Sequence, residues 1–439
     1  MPPRLREELT LLHDRTSPTP FSAFEPVLRK ELGVHWRKGF RSIETAEPVG
    51  SASLAQVYRA YTADGTPCVV KIQRPRAQQD MRGDMRVLRI SVQVISKFFP
   101  RLTDVVNAAE LVESLFRVMT RELDFLEEAR NMRSARQLAE EFEYISVPEV
   151  LQATPRVLVQ TFAEGVPINQ VDSIDLTYEQ RHTIGRELVS FMLRSYFVNR
   201  VFHADPHPGN IIISPDGTAH IIDWGMVGRI DRNTSLTFLG AFVSLARNDG
   251  FGLATHWARL GSVTPGADIE SFIREVSSVV PFWSDASLEE LNFGVALSSV
   301  LRYSTRHGIK ITPLASVVGK SVANIEGSVR CICPDIKVSV ALRKELRRIM
   351  RDLILEVFSA EQAAQLAVDA LSAVNRLPAE VQAVLDDLFA RNSTVRVQAG
   401  RSDSGNPVND SSLVPQGIWS TALATAFVIK TAQRSKPRP

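Results

Sequence analysis

The sequence predicts an α+β fold of two lobes, a small one built on an antiparallel sheet and a larger one that is mainly helical, with helical extensions. Three observations carry this expectation: an apolar hairpin pattern before residue 73, a second one between 211 and 222, and helical apolar spacing through most of the rest. Residues 1–45 read as a helical lead-in and about 46–163 as the small lobe. There, Val57 to Tyr61, the turn Ala63-Asp-Gly65 and Pro67 to Ile72 form strand, turn and strand. Ala108 to Leu138 is helical in pattern, with Leu111, Leu115, Met119, Phe125 and Met132 as its apolar stripe, and Arg156 to Val159 is a strand. About 164–335 is the large lobe, in which Ile184 to Tyr196 is a helix buried through Leu188, Phe191, Met192 and Tyr196. Ile211–Ile213, the turn Ser214-Pro-Asp-Gly217 and Ala219–Ile222 form the second hairpin. Residues 336–390 are a helical extension broken at Pro378, and 391–439 are a linker and tail, rich in Ser, Asn, Asp and Gly up to Gln416.

The second hairpin has a chemical consequence. It carries His203-Ala-Asp205-Pro-His207-Pro-Gly-Asn210 at one end and Ile221-Ile-Asp223-Trp-Gly225 at the other. Asp205 is placed to accept a hydroxyl proton or orient an acceptor, and Asn210, five residues on, matches the Asn that ligates a second Mg²⁺ in kinases. Asp223 supplies the main metal carboxylate. His203 and His207 are types that ligate metals, but here they are read as structural, bonding the loop backbone.

Such a site needs phosphate-holding groups upstream. Gly50-Ser51-Ala52-Ser53-Leu-Ala55-Gln-Val57 has the register of a phosphate loop, with alanine at its second and third glycine positions. Alanine lowers access to positive φ and places a methyl where backbone N–H groups approach phosphates. Lys71 ends the next strand, where a lysine holds the α- and β-phosphates. Its acidic partner lies among Glu122, Asp124, Glu127 and Glu128, and Glu128 is the choice, with Asp124 one turn before it on the same face. Glu122 falls on the apolar stripe, which hints at a specific partner and marks it, with Asp124, as a regulatory candidate. Each piece alone has an ordinary reading, since strand-end lysines and helix carboxylates are usually solvated. Their joint order along the chain favours chemistry.

Together these residues resemble the UbiB (AarF, ABC1-type) atypical kinase-like family, of bilobal protein-kinase-like fold. The resemblance covers about Leu5 to Asp335 and rests on Pro48 to Val57, Val69 to Pro75, Glu122-Leu-Asp124-Phe with Glu128-Ala-Arg-Asn131, His203 to Asn210, and Asp223 to Gly228. It implies an ATP- or ADP-binding, Mg²⁺-dependent protein acting in quinone (ubiquinone) or other isoprenoid-lipid metabolism, with ATPase activity favoured over phosphorylation of proteins in trans. Isoprenoid lipids or lipid-modifying enzymes are the implied partners. On the same resemblance Gln160-Thr161-Phe162 matches the hinge that meets adenine, with Thr161 and Ala163 as nucleotide-binding candidates. Three departures stand out: Thr161 replaces the hinge acid, Trp224 replaces the Phe of the metal motif, and Gly50 and Ser51 replace loop alanines. The family's Lys-x-Gly-Gln element is also not found before the region matching Pro3 to Asp14, which implies a more open pocket or a start upstream of Met1. Two other classes fit the catalytic loop: a small-molecule phosphotransferase of the aminoglycoside or choline kinase type, and a nucleotide-switched pseudokinase scaffold. The upstream motifs speak against the first, and the retained Lys71, Asp205, Asn210 and Asp223 against the second.

Composition sets the outer limits. The chain has 439 residues, is 44% hydrophobic and carries a net charge of +2, which disfavours a dedicated nucleic-acid binder. Cys68, Cys331 and Cys333 are its only cysteines, too few for a zinc site, and a reducing cytoplasm is expected. No secretory leader pattern opens the sequence. Leu342, Leu346, Ile349, Leu353 and Val357 form an apolar stripe beside a basic one of Arg343, Lys344, Arg347, Arg348 and Arg351. Such a helix suits either an anionic bilayer surface or a globular core. Gly417 to Ile429 is too short to span a bilayer, so peripheral, reversible membrane contact is expected at most.

Overall fold

The computed structural model describes residues 18–98, 123–284, 293–336 and 338–357. All of them belong to one compact unit, Met1–Ala363. The described part is a mixed structure of antiparallel sheets and helices, with the strands concentrated before residue 230.

The small lobe contains β1 (Phe40–Ile43), β2 (Gly50–Ser51), β3 (Ala55–Thr62), β4 (Pro67–Gln73), β6 (Val150–Ala153) and β7 (Val157–Thr161) in one sheet, while β5 (Ile145–Ser146) belongs elsewhere. The strand order is β1-β3-β4-β7-β6, with β2 paired on β3, and every pairing is antiparallel. Register places Val57 opposite Lys71 and Lys71 opposite Leu158. Because side chains alternate along a strand, Val70 and Ile72 lie on one face and Lys71 on the other. The first face is closed by α1 (Glu25–Leu32), whose Val27 and Leu28 join Phe24 and Trp36 over Tyr58, Val70, Ile72 and Val159. The other is covered by α3 (Phe125–Ala139), through Ala129 and Met132 near Leu158.

Two helices differ from expectation here. The run projected from Ala108 to Leu138 is described only from residue 123 onward, and there the helix starts at Phe125. Asp124 is extended (φ −120°, ψ 96°), and its carboxylate accepts the Leu126 N–H at 3.0 Å, capping the helix from outside. Asp124 therefore does not share a helical face with Glu128. Leu111, Leu115, Met119 and Glu122 lie outside the described residues. An additional helix, α2 (Ala77–Phe98), follows β4 and buries Met81 and Met85.

The large lobe is organised by α4 (Tyr178–Arg194), which starts with a Thr177–Gln180 capping box and continues as a wider turn over Ser195–Asn199. Its Ile184, Leu188, Phe191 and Met192 are fully buried, as the spacing predicts. The strand β9 (Val201–His203) pairs with β12 (Val227–Arg229), and β10 (Ile211–Ile213) pairs with β11 (Ala219–Ile221), flanked by β5 and β8 (Val166–Pro167). Then come α5 (Arg232–Ala246), α6 (Gly250–Arg259), α7 (Ile269–Ser284), α8 (Phe293–Arg306), α9 (Pro313–Ile332) and α10 (Val338–Val357). A small ribbon of β13 (Gly261–Val263) and β14 (Ile309–Ile311) lies among them.

The helix α10 resolves the two readings of its amphipathic pattern. Leu342, Leu346 and Ile349 are buried in the core, where α10 packs on α4 and α5, while Lys344, Arg347 and Arg351 are exposed. Its apolar stripe is thus used within the fold. Among the described residues no helix is long and apolar enough to cross a membrane. Gly417 to Ile429 lies outside them.

Candidate active site

The face of the small-lobe sheet that carries Lys71 turns toward α3 and the β10–β11 hairpin, and three charged groups meet there. Lys71 Nζ donates to both Glu128 oxygens, at 2.8 and 2.9 Å, and to Asp223 Oδ1 at 2.8 Å. All three ammonium protons are therefore committed. Glu128 is 3% exposed, whereas Asp223 is 52% exposed. Burial works against the charge on Lys71, but Asp223 and Glu128 outweigh it and raise its pKa above the ordinary lysine value. Lys71 in turn holds Asp223 down at about 2 against the effect of burial. Burial raises Glu128, opposed by Lys71 and reinforced by Asp223.

Asp223 adopts a left-handed backbone with φ +58°, an uncommon state for a residue with a side chain. The next residue keeps it there. Trp224 is buried, donates Nε1–H to the Ile221 carbonyl at 2.9 Å, and gives its own carbonyl to Asn131 Nδ2 at 3.1 Å. Asn131 Oδ1 in turn accepts from Arg229 at 3.0 Å. Asn131 sits one turn after Glu128, so one face of α3 fixes both the lysine and the metal-motif loop. In the sequence Asn131 belongs to the Glu128-Ala-Arg-Asn131 motif, and nothing there points to this role.

The loop from His203 to Asn210 is equally tied down. His203 is fully buried; its Nδ1 accepts the Asp205 N–H at 3.1 Å and its Nε2 faces the Ile222 carbonyl at 3.0 Å. A carbonyl can only accept and an amide N–H can only donate, so the imidazole is the neutral Nε2–H tautomer. Burial depresses its pKa, which agrees with that assignment. His207 Nδ1 accepts from the Gly209 N–H at 3.0 Å. Both histidines bond the loop backbone, as expected. Asn210 donates Nδ2–H to the Asp205 carbonyl at 3.1 Å, and its carbonyl accepts the Ile222 N–H at 2.9 Å. The hairpin ladder thus extends one pair beyond Ile211 and Ile221 and brings Asn210 beside the start of the Asp223 turn.

Helix α9, which the sequence reading did not connect to the site, lines the other side of this loop. Ser321 donates to the His203 carbonyl at 2.6 Å, and Ser328 to the Pro206 carbonyl at 2.9 Å. Lys320 donates to Asp205 Oδ2 at 3.0 Å, and Asn324 donates to Asp205 Oδ1. Residues 320, 321, 324 and 328 fall on one helical stripe, which explains how a single helix reaches successive loop positions.

The phosphate-loop candidates form a tight hairpin. Gly50 pairs with Val57 and Ser51 with Gln56, and the Ala52 N–H bonds the Ala55 carbonyl at 2.9 Å across Ser53 and Leu54. Arg74 holds the tip, donating to the Ala52 carbonyl at 2.9 Å and to Ser51 Oγ at 3.0 Å. At the hinge position, Thr161 Oγ1 accepts the Glu149 N–H at 2.9 Å, so that hydroxyl is engaged within the sheet; Ala163 is partly buried. Glu122 lies outside the described residues, and Asp124 is a helix cap without a contact to Lys71.

The description "ABC1 atypical kinase-like domain" matches residues 11–256, more than half of the 439-residue chain. The chain belongs to the ABC1 atypical kinase-like family. A Xanthomonas campestris ABC1 relative named "Probable protein kinase UbiB" is 26% identical over 365 residues, covering 80% of this chain and 65% of the relative. An Arabidopsis thaliana aarF domain-containing protein kinase of the chloroplast is 30% identical over 344 residues, 77% of this chain and 48% of its own. The chain spans less than two thirds of the length of these curated relatives. Among solved structures, a Mycobacterium tuberculosis protein in complex with erythromycin matches with TM-score 0.57 and 25% identity, over 78% of this chain and 86% of that one. The kinase-like fold is thus shared with that solved structure.

Proposed function

We propose that this chain is a Mg²⁺-dependent enzyme that binds ATP and transfers or hydrolyses its terminal phosphoryl group, in the service of quinone or other isoprenoid-lipid metabolism. The observation that carries the chemistry is the closed Lys71–Glu128 pair beside a hairpin that presents Asn210 and Asp223 together. The donor set fits a hard divalent cation: Asp223 is half-exposed, and its Oδ2 has no protein partner among the described residues. Asn210 has committed its amide N–H to Asp205, leaving its amide oxygen as the group suited to a metal. When bound there, Mg²⁺ would neutralise charge on the β- and γ-phosphates.

The chain's own residues supply the rest. Lys71, held by Glu128, is directed at the α- and β-phosphates once it releases Asp223, and the 50–57 hairpin covers them. The Asp205 carboxylate orients an acceptor hydroxyl and takes its proton. The acceptor oxygen forms a bond to the γ-phosphorus while the bond from that phosphorus to the β–γ bridging oxygen breaks, and ADP carries away the electron pair. With water as acceptor the products are ADP and phosphate. The lipid assignment rests on the UbiB name borne by relatives and on the family resemblance. Any membrane contact falls to the exposed basic residues of α10, Lys344, Arg347 and Arg351.

The test is ADP release from Mg-ATP by the full chain, with and without anionic liposomes, beside Asp223→Asn. Turnover that rises with liposomes and is lost in the variant supports the reading. Unchanged turnover in Asp223→Asn would sink it.

A further inference from the structure

The catalytic loop from His203 to Asn210 contains no lysine or arginine. Its two histidines are used for backbone bonds, and His203 is neutral. Phosphoryl transfer spreads negative charge over three equatorial oxygens, and a cation beside the base would stabilise it further, in addition to the metal and to the lysine at the α- and β-phosphates. Lys71 is spread over Glu128 and Asp223, and Glu128 keeps it on the small-lobe side. The ammonium found at Asp205 belongs to Lys320, from 115 residues further along the chain.

Resting on the reading of this site as an ATP site, we propose that Lys320 binds the terminal phosphoryl group of the nucleotide and is the cation of the transfer step, delivered by helix α9 instead of by the loop. Three observations support it. Lys320 Nζ lies 3.0 Å from Asp205 Oδ2, so a phosphoryl group approached by the acceptor on Asp205 comes within reach of the same ammonium. Among the described residues Asp205 is its one bonded partner, leaving two of its three donors for phosphate oxygens. Its side chain is 55% exposed while Asp205 is 24% exposed, so the amine stands at the open side of the carboxylate. Asn324 takes the other carboxylate oxygen and acts as a positioning residue, which leaves Lys320 free to shift without releasing Asp205. A surface ion pair alone would contribute little to stability, so folding gives this lysine no strong reason to be there.

The experiment compares the affinities of the full chain for Mg-ATP and Mg-ADP by calorimetry, in wild type, Lys320→Met and Lys320→Arg. Contact with the terminal phosphoryl group predicts that Lys320→Met weakens ATP about tenfold or more while leaving ADP unchanged, as expected for loss of a charge-assisted bond. Lys320→Arg should restore most of that difference. Because the side chain is more than half exposed, the melting temperature should hold within a few degrees; if Lys320→Met does not fold, Lys320→Gln replaces it. An ATP-to-ADP ratio unchanged from wild type in the folded variant overturns the proposal, including when turnover falls, because a residue that only orients Asp205 would lower turnover without moving the ratio. Wild-type protein that binds neither nucleotide overturns the reading of the site and this proposal with it.

Discussion

Lys71 and Asp223, 152 residues apart in sequence, meet at 2.8 Å, and the contact uses the last free proton of the lysine. For a phosphate to reach Lys71 one of its carboxylates must let go. Asp223 is the one placed to leave, since it is half-exposed, whereas Glu128 is buried. On the proposed reading, nucleotide replaces an ion pair between the lobes' motifs instead of adding to it.

That pair has a pH signature. Asp223 is depressed from 3.8 to about 2, chiefly by Lys71. A depressed carboxylate contributes stability above its unfolded pKa and loses it as pH falls through its folded one. The urea midpoint of wild type should exceed that of Asp223→Asn at neutral pH, and the gap should close as pH falls from about 4 to about 2. The gap stays modest because Asp223 is half-exposed and water screens the pair. A gap that persists at the acid end would assign the effect to packing.

Glu128 responds the opposite way when its partner is removed. In Lys71→Met the carboxylate stays 3% exposed without a cation, a situation that typically costs about 3–5 kcal/mol. Its pKa, already raised by burial, then rises further, so the folded state binds a proton more tightly than the unfolded chain. The deficit should be smallest at acid pH and grow as pH rises through the folded value. Adding Glu128→Gln to Lys71→Met should recover most of the loss at neutral pH, measured by denaturant unfolding of the single and double variants. Equal stability of the two would show that Glu128 is reached by water.

His203 is expected to remain the neutral Nε2–H tautomer at neutral pH, because a second ring proton would face the Asp205 N–H. Its pKa lies below the ordinary 6.5, so the loop contribution is present above that value and lost as pH falls through the depressed one. Long-range nitrogen–proton spectra of the imidazole read this directly. A doubly protonated ring at neutral pH would contradict the geometry.

What could be read in the sequence follows from how far apart the partners lie. Asp205, Asn210 and Asp223 sit on one hairpin, so their spacing encodes their meeting, and Lys71 is placed by a strand register that alternation alone predicts. The grip of α9 on the loop joins residues more than a hundred positions apart, and its trace is only Lys320, Ser321, Asn324 and Ser328 in a largely apolar helix. Helical periodicity says nothing about where a helix starts, so it sets Asp124 inside a helix that Asp124 in fact caps. The spacing Asp124 to Glu127, an acceptor three residues before an acid, is a capping pattern that would have found it. The stripe of α10 was ambiguous for a different reason: a bilayer and a protein core select the same apolar face.

The packing of α10 yields the remaining prediction. Arg194, near the end of α4, is 14% exposed; it donates a hydrogen bond to Asp352 at 3.0 Å and forms ion pairs with Glu141 at 2.8 Å and Glu345 at 3.6 Å. Glu345 is buried and also accepts from Ser190 at 3.2 Å, so Arg194, with the exposed Arg348 at 3.5 Å, neutralises a carboxylate that α10 brings into the core. Burial opposes its charge, but Asp352, Glu141 and Glu345 together raise its pKa above the ordinary arginine value. Arg194→Met leaves Glu345 buried beside the weaker, exposed Arg348, and should destabilise the chain by about 3 kcal/mol. Hydrogen exchange should rise first across residues 338–357, since Leu342, Leu346 and Ile349 must leave the core for α10 to let Glu345 reach water. If α10 stays as protected as in wild type, the guanidinium is not what holds that helix in place, and its apolar stripe alone suffices.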